Sequence, residues 1–242
     1  MEEHFFKFSN LSRFPEIIHG VSTRVYGNMK YGWSSADIVD KNRKHFFEDL
    51  NIESSTIISP EIVHGSKISS IGREDKGKIL RGNDGLISQD STVYILITIA
   101  DCLPVFLYDP VARTIGLIHV GWRGILDGIV SHSIGKCQYL GSDPSNLVVG
   151  IGPGICQKHF IVKNDVLKKF KDLYPQATFI RNHDGYIDLR KAVLHDLKKA
   201  NVSKHNVEIT QDCPVCLNGI YGSYRKEGEK APASAAVIGI KD

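Results

Sequence analysis

The sequence predicts an α+β fold, with residues 1–242 forming a single compact domain. Three observations support this. Short runs rich in β-branched residues are the commonest pattern, and they alternate with only a few amphipathic helical stretches. The chain shows no sustained βαβ rhythm that would require a parallel sheet. It also has no Pro/Gly/Ser-rich linker long enough to separate two domains.

Six segments have the clearest strand pattern, because each is a short apolar run rich in Val, Ile or Thr. They are Thr92 to Ile99, Val105 to Tyr108, Thr114 to Val120, Leu147 to Ile151, Val207 to Thr210 and Ala235 to Ile240. In addition, the turn 182-NHDG-185 is expected to join Phe179-Ile180 to Tyr186-Ile187 as a hairpin. We therefore expect a core dominated by sheet.

Four segments are predicted as helices, with Asp40, Asn164 and Asp188 as candidate N-caps. The helices are Asp40 to Leu50, Ile125 to Leu140, Asn164 to Tyr174 and Asp188 to Ala200. In the second, apolar residues recur every three or four positions and form one stripe. Cys137 belongs to that stripe and is expected in the core.

Composition and charge exclude several classes of protein. Thirty Lys and Arg against 27 Asp and Glu give a net charge of only +3, and the basic residues are scattered, which argues against nucleic acid as a partner. The longest apolar run, Val93 to Ala100, is too short to span a bilayer. The N-terminus resembles no signal peptide, and five cysteines at irregular spacing indicate reduced thiols. These features predict a cytoplasmic protein without a membrane partner.

Three segments carry a possible metal ligand where an apolar run meets a turn. They are 62-IVHG-65, 100-ADCLP-104 and 118-IHVGWRG-124. Strand ends gather at one rim of a sheet, so His64, Cys102 and His119 could meet there although they are far apart in sequence. Two imidazoles and one thiolate would bind zinc and leave a fourth tetrahedral position open, as catalytic zinc sites require.

Two other motifs have simpler interpretations. The pair 213-CPVC-216 has the spacing of a zinc knuckle or a redox dithiol, but no second Cys pair accompanies it, so we interpret it as a turn with incidental thiols. The segment 150-GIGPG-154 lacks the remaining residues of a dinucleotide or P-loop motif. We interpret it as a tight turn whose glycines adopt positive φ, with backbone approach to a phosphate as the alternative.

Arginines stand beside glycines and aromatic residues in three places: Arg24 in 22-STRVYG-27, Arg123 in 121-GWRG-124 and Arg225 in 222-GSYRKEG-228. Such surroundings suit contacts with anions or planar rings. Each arginine becomes a functional candidate only if the fold brings it to the same rim as the metal ligands.

Taken together, these segments resemble the YfiH family, also called the laccase-domain or multicopper polyphenol oxidase family. The resemblance runs in order through 22-STR-24, 40-DKNR-43, 63-VHG-65, 83-NDGLIS-88, 98-TIADCLPVFLYDP-110, 118-IHVGWRG-124, 151-IGPGI-155 and 223-SYRKEG-228. The combination of ADCLP with HVGWRG is highly specific, and the motifs extend over nearly the whole chain.

The resemblance implies a β-sandwich flanked by helices, like that of toxin deamidases with a Cys/His pair. It implies zinc, or copper, bound by His64, Cys102 and His119. The implied activities are phosphorolysis of adenosine, inosine, guanosine and methylthioadenosine, together with adenosine deamination. The implied partners are therefore a purine nucleoside and phosphate, and a monomer is expected.

For this chemistry, Cys102, His119 and Asp101 are the catalytic candidates, the first two through the metal that the resemblance implies and Asp101 through its position beside Cys102. Zinc would lower the pKa of a water molecule for attack on C6 of adenine, and a carboxylate must then move protons. Asp101 is adjacent in sequence, but neighbouring side chains on a strand point to opposite faces, so it could instead support the loop. Arg24, Arg123 and Arg225 are the candidates for holding substrate phosphate.

The chain departs from the family pattern in three places. Glu61 stands where relatives commonly have Gln, the Gly/Ser-rich segment after Arg24 is contracted to 25-VYGNMKYGW-33, and the usual Cys-Thr reads Cys213-Pro214. These differences bear on substrate preference and pocket shape. The three candidate ligands are intact.

Three alternative functions remain open. Cys102 could be a nucleophile and His119 its base in an amide hydrolase acting on cell-wall precursors. Copper-dependent oxidation of phenols is a second alternative, although the sequence offers one His₂Cys set and no His-x-His pair. A purely structural metal would need a fourth ligand, for which His159 and His183 are candidates.

Overall fold

The computed structural model describes residues 4–241, with two six-stranded sheets at its centre. Strands are numbered in chain order. The first sheet runs β1 (Phe5–Phe6), β2 (Ile17–Ser22), β15 (Ser234–Ile240), β7 (Tyr94–Ile99), β3 (Ile57–Pro60) and β5 (Ile79–Leu80). The second sheet runs β14 (Val207–Ile209), β10 (Val148–Ile151), β8 (Leu103–Asp109), β9 (Thr114–Val120), β6 (Gly85–Ser88) and β4 (Ile68–Ser70). A small third sheet runs β11 (Ile161–Val162), β13 (Asp184–Ile187) and β12 (Thr178–Arg181).

Six helices accompany the sheets, numbered in the same way. They are α1 (Ala36–Leu50), α2 (Trp122–Leu126), α3 (Ile129–Tyr139), α4 (Asn164–Leu173), α5 (Leu189–Lys199) and α6 (Tyr224–Glu227). None of the helices within residues 4–241 has both the length and the apolar character needed to cross a membrane.

The two large sheets pack face to face, and helices cover their outer faces. Between the sheets, Phe106 and Leu117 of the second sheet share one apolar cluster with Ile95 of the first. On the outer face of the second sheet, residues such as Val105 pack against α3 and α5, and Phe46 of α1 packs against the outer face of the first sheet. The predicted α+β fold, with a sandwich flanked by helices, is confirmed.

This layering explains why the central strands are apolar throughout instead of alternating with polar residues. Every residue of β8 and β9 is buried. Successive side chains of a strand point to opposite faces, and here each face has a covering layer. All six predicted strands are present, as β7, β8, β9, β10, β14 and β15.

The predicted helix from Ile125 to Leu140 is two helices in the structure. It breaks at Asp127-Gly128, between α2 and α3, where Gly128 adopts the left-handed conformation with φ of 77°. Glycine takes this conformation without the steric cost that a side chain imposes. Cys137 is buried in the core, as predicted from the apolar stripe.

One predicted helix cap is correct and two are not. Asp188 caps α5, since its side chain accepts a hydrogen bond from the amide of Lys191. Asn164 is instead the first residue of α4. Asp40 lies inside α1, which begins at Ala36.

The hairpin is confirmed, with β12 and β13 paired in antiparallel fashion. Its turn is formed by Asn182 and His183, both at positive φ. Two successive positive φ values match the right-handed twist of the flanking strands, which is why two-residue hairpin loops favour them.

The glycines of 150-GIGPG-154 serve close packing and do not adopt positive φ, which corrects the prediction. A Cβ on Gly152 would lie 2.6 Å from Pro104, and one on Gly154 would lie 2.4 Å from Leu103. The amides of Gly152 and Gly154 donate to the carbonyls of Pro104 and Asp212. Because these donors are already used, the alternative of a phosphate cradle at these amides is also wrong.

Substitutions at Gly128, between α2 and α3, and at Gly135, inside α3, should change stability in opposite directions. Gly128→Ala forces a side chain into the left-handed region and should lower the free energy of unfolding by about 1–2 kcal/mol. Gly135→Ala adds a methyl group inside α3, where a Cβ meets no atom within 4 Å. It should raise the free energy of unfolding by about 0.5–1 kcal/mol. Urea unfolding of both variants provides the measurement, and shifts of the same sign would contradict the conformational argument.

Candidate functional site

The structure brings His64, Cys102 and His119 together at one rim of the sandwich. Their ligand atoms all lie within 4.8 Å of one another. The two imidazole rings are nearly perpendicular, with centroids 4.9 Å apart. His119 is 3% exposed, whereas Cys102 is partly buried and His64 is exposed.

Strand topology explains this convergence. The connection that contains Cys102 runs from β7 in the first sheet to β8 in the second, and the connection that contains His64 likewise runs from β3 to β4. In the antiparallel pair of β8 and β9, Leu103 faces Val120. Cys102, just before β8, therefore lies beside the end of β9, where His119 is the penultimate residue.

Gly121 leaves room for the three side chains. A Cβ at this position would lie 3.2 Å from Cys102 Sγ and 3.7 Å from Cδ2 of His64. The first of these distances is closer than ordinary van der Waals contact. The glycine after β9 therefore allows the backbone to pass directly over the candidate ligands.

A buried carboxylate, that of Asp84, orients the site from behind. Asp84 accepts hydrogen bonds from the amides of His64 at 2.8 Å and Gly65 at 2.7 Å. Its Oδ1 also lies 3.2 Å from Nδ1 of His119. With Nδ1 engaged in this way, Nε2 is the ring nitrogen left for a metal, which is the usual arrangement of a metal-binding histidine held by a carboxylate.

These groups strongly perturb one another's protonation. Burial raises the pKa of the Cys102 thiol, but His119 and His64 outweigh burial and bring the pKa to about 6. Burial lowers the pKa of His119, yet the neighbouring Cys102 and Asp84 raise it to about 9. For Asp84, burial raises the pKa, while His119 and the amides of Gly65 and His64 bring it below its usual value. Cys102 is thus readily ionised, and the thiolate is the metal-binding and nucleophilic form of cysteine.

The candidate ligands lie in a cleft of about 500 Å³. Aromatic side chains line part of it, and Trp33 and Tyr224 are stacked with ring centroids 5.7 Å apart. The cations that line the cleft are Lys30, Arg123 and Arg225. Flat apolar rings beside several positive charges suit a ligand that has both a planar ring and an anionic group.

Asp101 lines the cleft, but its carboxylate is hydrogen-bonded to the first turn of α6 and to the residue just before it. Oδ1 accepts from the hydroxyl of Ser223 at 2.7 Å, and Oδ2 accepts from the amide of Arg225 at 2.6 Å. Burial raises the pKa of Asp101, opposed by the hydrogen bonds from Arg225 and Ser223. This geometry favours the supporting role that the sequence left open for Asp101.

The three candidate arginines have different surroundings. Arg123 lines the cleft and lies over the ring of Trp122 at 4.3 Å. Arg225 also lines the cleft, and its Nη1 donates to the carbonyl of His159. Arg24 is not among the lining residues, and its Nη2 pairs with both oxygens of Glu227 at 2.9 and 2.7 Å. Only two of the three are therefore placed to touch a ligand in the cleft.

The interpretation of 213-CPVC-216 as a turn with incidental thiols misses a second cluster. Cys156, His159, Cys213 and Cys216 have ligand atoms within 4.8 Å of one another. The segment 156-CQKH-159 supplies the second pair of ligands, as one cysteine and one histidine at the same spacing of three residues. His159 is therefore not a fourth ligand for His64, Cys102 and His119, and His183 lies in the β12–β13 turn.

Sequence reasoning also missed Asp84 and Lys30. Asp84 stands in the motif 83-NDGLIS-88, directly before a buried strand, and this position was the available signal. Lys30 belongs to the contracted segment after Arg24 and carries no motif. Burial lowers the pKa of Lys30, while the charges of Cys102 and Glu229 oppose this effect.

Asp84→Asn should weaken metal binding by roughly 10- to 100-fold, because His119 loses its orienting carboxylate. The measurement is a zinc titration against a competing chelator. Asp109→Asn is the matched control, since Asp109 is a buried carboxylate at the opposite end of β8 that accepts backbone amide hydrogen bonds. Equal metal affinities in the two variants would contradict the role given to Asp84.

Comparisons with known proteins agree with this architecture. The purine nucleoside phosphorylase of Staphylococcus epidermidis is 28% identical over 268 aligned positions, with 100% of both chains covered. A protein named adenosine deaminase RL5, from an unknown prokaryotic organism, is 26% identical over 191 residues, which cover 74% of this chain and 73% of its own. The crystal structure of YlmD from Geobacillus stearothermophilus matches with a TM-score of 0.94 at 24% identity, covering 100% of this chain and 98% of that one.

The family comparison agrees with the resemblance found in the motifs. A family described as multi-copper polyphenol oxidoreductase laccase matches residues 14–241. The match includes β7, β8 and β9, the connections between them, and every candidate ligand described above. This chain belongs to the multi-copper polyphenol oxidoreductase laccase family.

Proposed function

We propose that this protein cleaves purine nucleosides with inorganic phosphate and deaminates adenosine, using one zinc site in the cleft. The observation that carries the proposal is the meeting of His64, Cys102 and His119 in a cleft lined by aromatic rings and cations. Relatives named purine nucleoside phosphorylase and adenosine deaminase support this choice of substrates. The proposed nucleosides are adenosine, inosine, guanosine and methylthioadenosine.

The side chains present fit a catalytic zinc ion. Imidazoles and thiolates are typical zinc ligands, and catalytic zinc sites have three protein ligands; the described residues add no fourth His, Cys, Asp or Glu to this group. Asp84 fixes the ring of His119, as a supporting carboxylate does in zinc enzymes. Copper also accepts a His₂Cys set, and elemental analysis of the purified protein distinguishes the two metals.

A zinc ion bound here would supply a Lewis acid and lower the pKa of a coordinated water molecule. In deamination, water adds at C6 of adenosine and ammonia leaves, which gives inosine. In phosphorolysis, the bond between N9 and C1′ breaks and its electron pair stays with the purine, while a phosphate oxygen bonds to C1′. The products are then the free base and ribose-1-phosphate, and a proton must reach the base.

The cations of the cleft are proposed to hold phosphate. Arg123 and Arg225 line the cleft together with Lys30, whose ammonium lies close enough for the charge of Cys102 to affect its pKa. These cations would bind the anionic phosphate and orient one of its oxygens toward C1′. Trp33 stacks against Tyr224 and lies beneath the ammonium of Lys30, which is 4.2 Å from its ring centroid. The face of Tyr224 turned away from Trp33 is therefore the proposed surface on which a purine stacks.

Proton transfer is assigned to Glu229 in preference to Asp101. Both carboxylates line the cleft. Asp101 holds the hydroxyl of Ser223 and the amide of Arg225, so a change in its protonation would weaken the attachment of α6. Glu229 is exposed and close enough to Lys30 for its charge to affect the pKa of that group. A carboxylate that lines the cleft can serve as general acid or base for a substrate bound there.

Arg24 is proposed to act indirectly, by holding the segment that carries Tyr224 and Arg225. Its partner Glu227 also accepts hydrogen bonds from the amide of Ser223 and the side chain of Asn218. Glu227 is the last residue of α6. The ion pair between Arg24 and Glu227 therefore holds the C-terminal end of α6, while Asp101 holds its N-terminal end.

Purified protein loaded with zinc should convert adenosine to inosine without phosphate, and should form adenine and ribose-1-phosphate only when phosphate is present. His64→Ala should lower both activities by more than about 100-fold, because the metal loses a ligand. Product chromatography with and without phosphate provides the measurement.

His183→Ala is the matched control, since His183 lies in the exposed β12–β13 turn. It should retain both activities. The absence of any purine product from protein shown to contain zinc at this site would overturn the proposal. Equal losses of activity in His64→Ala and His183→Ala would show that the activity does not depend on the proposed metal site.

One observation favours a second candidate, a cysteine amide hydrolase acting on cell-wall precursors. Cys102 contacts His119, and His119 in turn contacts Asp84, so the three side chains could act as nucleophile, base and orienting carboxylate. In that reaction Cys102 Sγ would bond to the amide carbon, the carbon–nitrogen bond would break, and His119 would give its proton to the leaving amine. Water would then release the acid.

Alkylation of Cys102 separates the two candidates. If the thiol is a metal ligand, zinc should protect Cys102 from iodoacetamide, and removal of zinc should abolish turnover together with that protection. Peptide mass spectrometry identifies the modified residue, and Cys137, which is buried in the core, serves as an internal reference. Hydrolysis of a cell-wall peptide by metal-free protein, lost in Cys102→Ser, would support the amide hydrolase instead.

A further inference from the structure

We infer that Cys156, His159, Cys213 and Cys216 bind a second zinc ion in a closed structural site, separate from the cleft. The four ligand atoms lie within 4.8 Å of one another and share no residue with the cluster of His64, Cys102 and His119. Three thiolates and one imidazole form a common ligand set of structural zinc sites. The inference does not depend on the proposed nucleoside chemistry.

The distances between the four ligands match the edges of a zinc tetrahedron. With zinc–sulfur bonds of about 2.3 Å and zinc–nitrogen bonds of about 2.0–2.1 Å, a tetrahedron has sulfur–sulfur edges of about 3.8 Å and sulfur–nitrogen edges of about 3.6 Å. The Sγ atoms of Cys156 and Cys216 are 4.0 Å apart. Nδ1 of His159 lies 3.4 Å from Cys156 Sγ, 3.7 Å from Cys213 Sγ and 3.4 Å from Cys216 Sγ.

A backbone amide points at one of the sulfurs, as amides do around metal-bound thiolates. The amide of Cys156 donates to Cys213 Sγ at 3.3 Å. Cys213 is 2% exposed, so this amide provides a polar contact that water would otherwise supply. Hydrogen bonds of this kind stabilise a sulfur that carries negative charge.

The site joins two connections that contain no helix or strand. No helix or strand is present between Ile209, the end of β14, and Tyr224, the start of α6. Cys213 and Cys216 lie in this connection. Cys156 and His159 lie in a second connection, between β10 and β11. The amide of Gly154 donates to the carbonyl of Asp212, which already links the two connections. A metal that joins them would add a second link, and its binding energy becomes folding energy.

A disulfide fits the cluster less well than a metal does. A disulfide requires sulfurs about 2.05 Å apart, whereas Cys156 Sγ and Cys216 Sγ are separated by 4.0 Å. It would also leave the third cysteine unpaired and give His159 no role. Nδ1 of His159 lies near all three sulfurs, which a shared metal ion accounts for directly.

The proposed zinc site also supports one wall of the cleft. The carbonyl of His159 accepts a hydrogen bond from Nη1 of Arg225 at 3.0 Å. The next residue, Phe160, lines the cleft, and Arg225 lies 5.5 Å from its ring centroid. Loss of the second metal should therefore loosen Arg225 and Phe160 without removing any ligand of the first site.

The test is metal stoichiometry in full-length protein that has been reduced, saturated with zinc and freed of excess metal. Wild-type protein should contain two zinc ions per chain, and the double variant Cys213→Ser/Cys216→Ser should contain one. Cys137→Ala, which changes a core cysteine outside both clusters, should keep two. The double variant should also unfold at a lower temperature than Cys137→Ala, because it loses the metal that joins the two connections.

Cys102→Ser keeps the test decisive if the double variant does not fold. This variant should retain one zinc ion, and X-ray absorption should show three sulfurs at about 2.3 Å and one nitrogen at about 2.0 Å around it. Cobalt substituted for that zinc should show strong thiolate charge-transfer absorption. Loss of all zinc from Cys102→Ser, a sulfur-poor shell around the zinc that this variant retains, or a disulfide among these cysteines under reducing conditions would each overturn the inference.

Discussion

The rim of this sandwich depends on the buried carboxylate of Asp84. The carboxylate accepts amide hydrogen bonds from His64 and Gly65 and contacts the ring of His119. The backbone carbonyl of Asp84 also accepts a hydrogen bond from the amide of His119 at 2.7 Å. One residue thus joins a loop between the sheets to the end of a central strand. A carboxylate at 0% exposure is costly to bury, and these contacts compensate for the lost solvation.

Two different structural principles place functional groups around the cleft. The ligands of the first cluster come from the ends of strands and from connections between the sheets, so sheet register fixes their positions. The second cluster joins two connections that have no regular structure of their own. The first arrangement can leave a coordination position open, whereas the second uses four ligands around one point, a difference that separates catalytic from structural zinc sites.

Much of the fold followed from local sequence, and the reasons for the failures are specific. The central strands were predictable because both faces of β8 and β9 are covered, which produces continuous apolar runs. The break at Gly128 was missed because the apolar stripe continues through it. The convergence of His64, Cys102 and His119 was foreseen from strand ends, but Asp84 was not, since a lone acidic residue before a strand has no distinctive spacing. The partnership of Cys156 and His159 with 213-CPVC-216 depends on folding, because more than fifty residues separate the two pairs.

Arg190 gives the second cluster an electrostatic counterpart. Arg190 is 5% exposed, and its guanidinium donates to backbone carbonyls, among them those of Gly154 and Asp212, on the two connections that carry the cluster. Three thiolates around a divalent cation would leave one negative charge. The positive charge of Arg190 interacts favourably with the carboxylates of Asp188 and Asp212 and with the thiols of Cys213 and Cys156. A cation fixed in this way lowers the electrostatic cost of gathering negative charge beside the buried Cys213, while the exposed Cys216 keeps the other side of the cluster in contact with solvent.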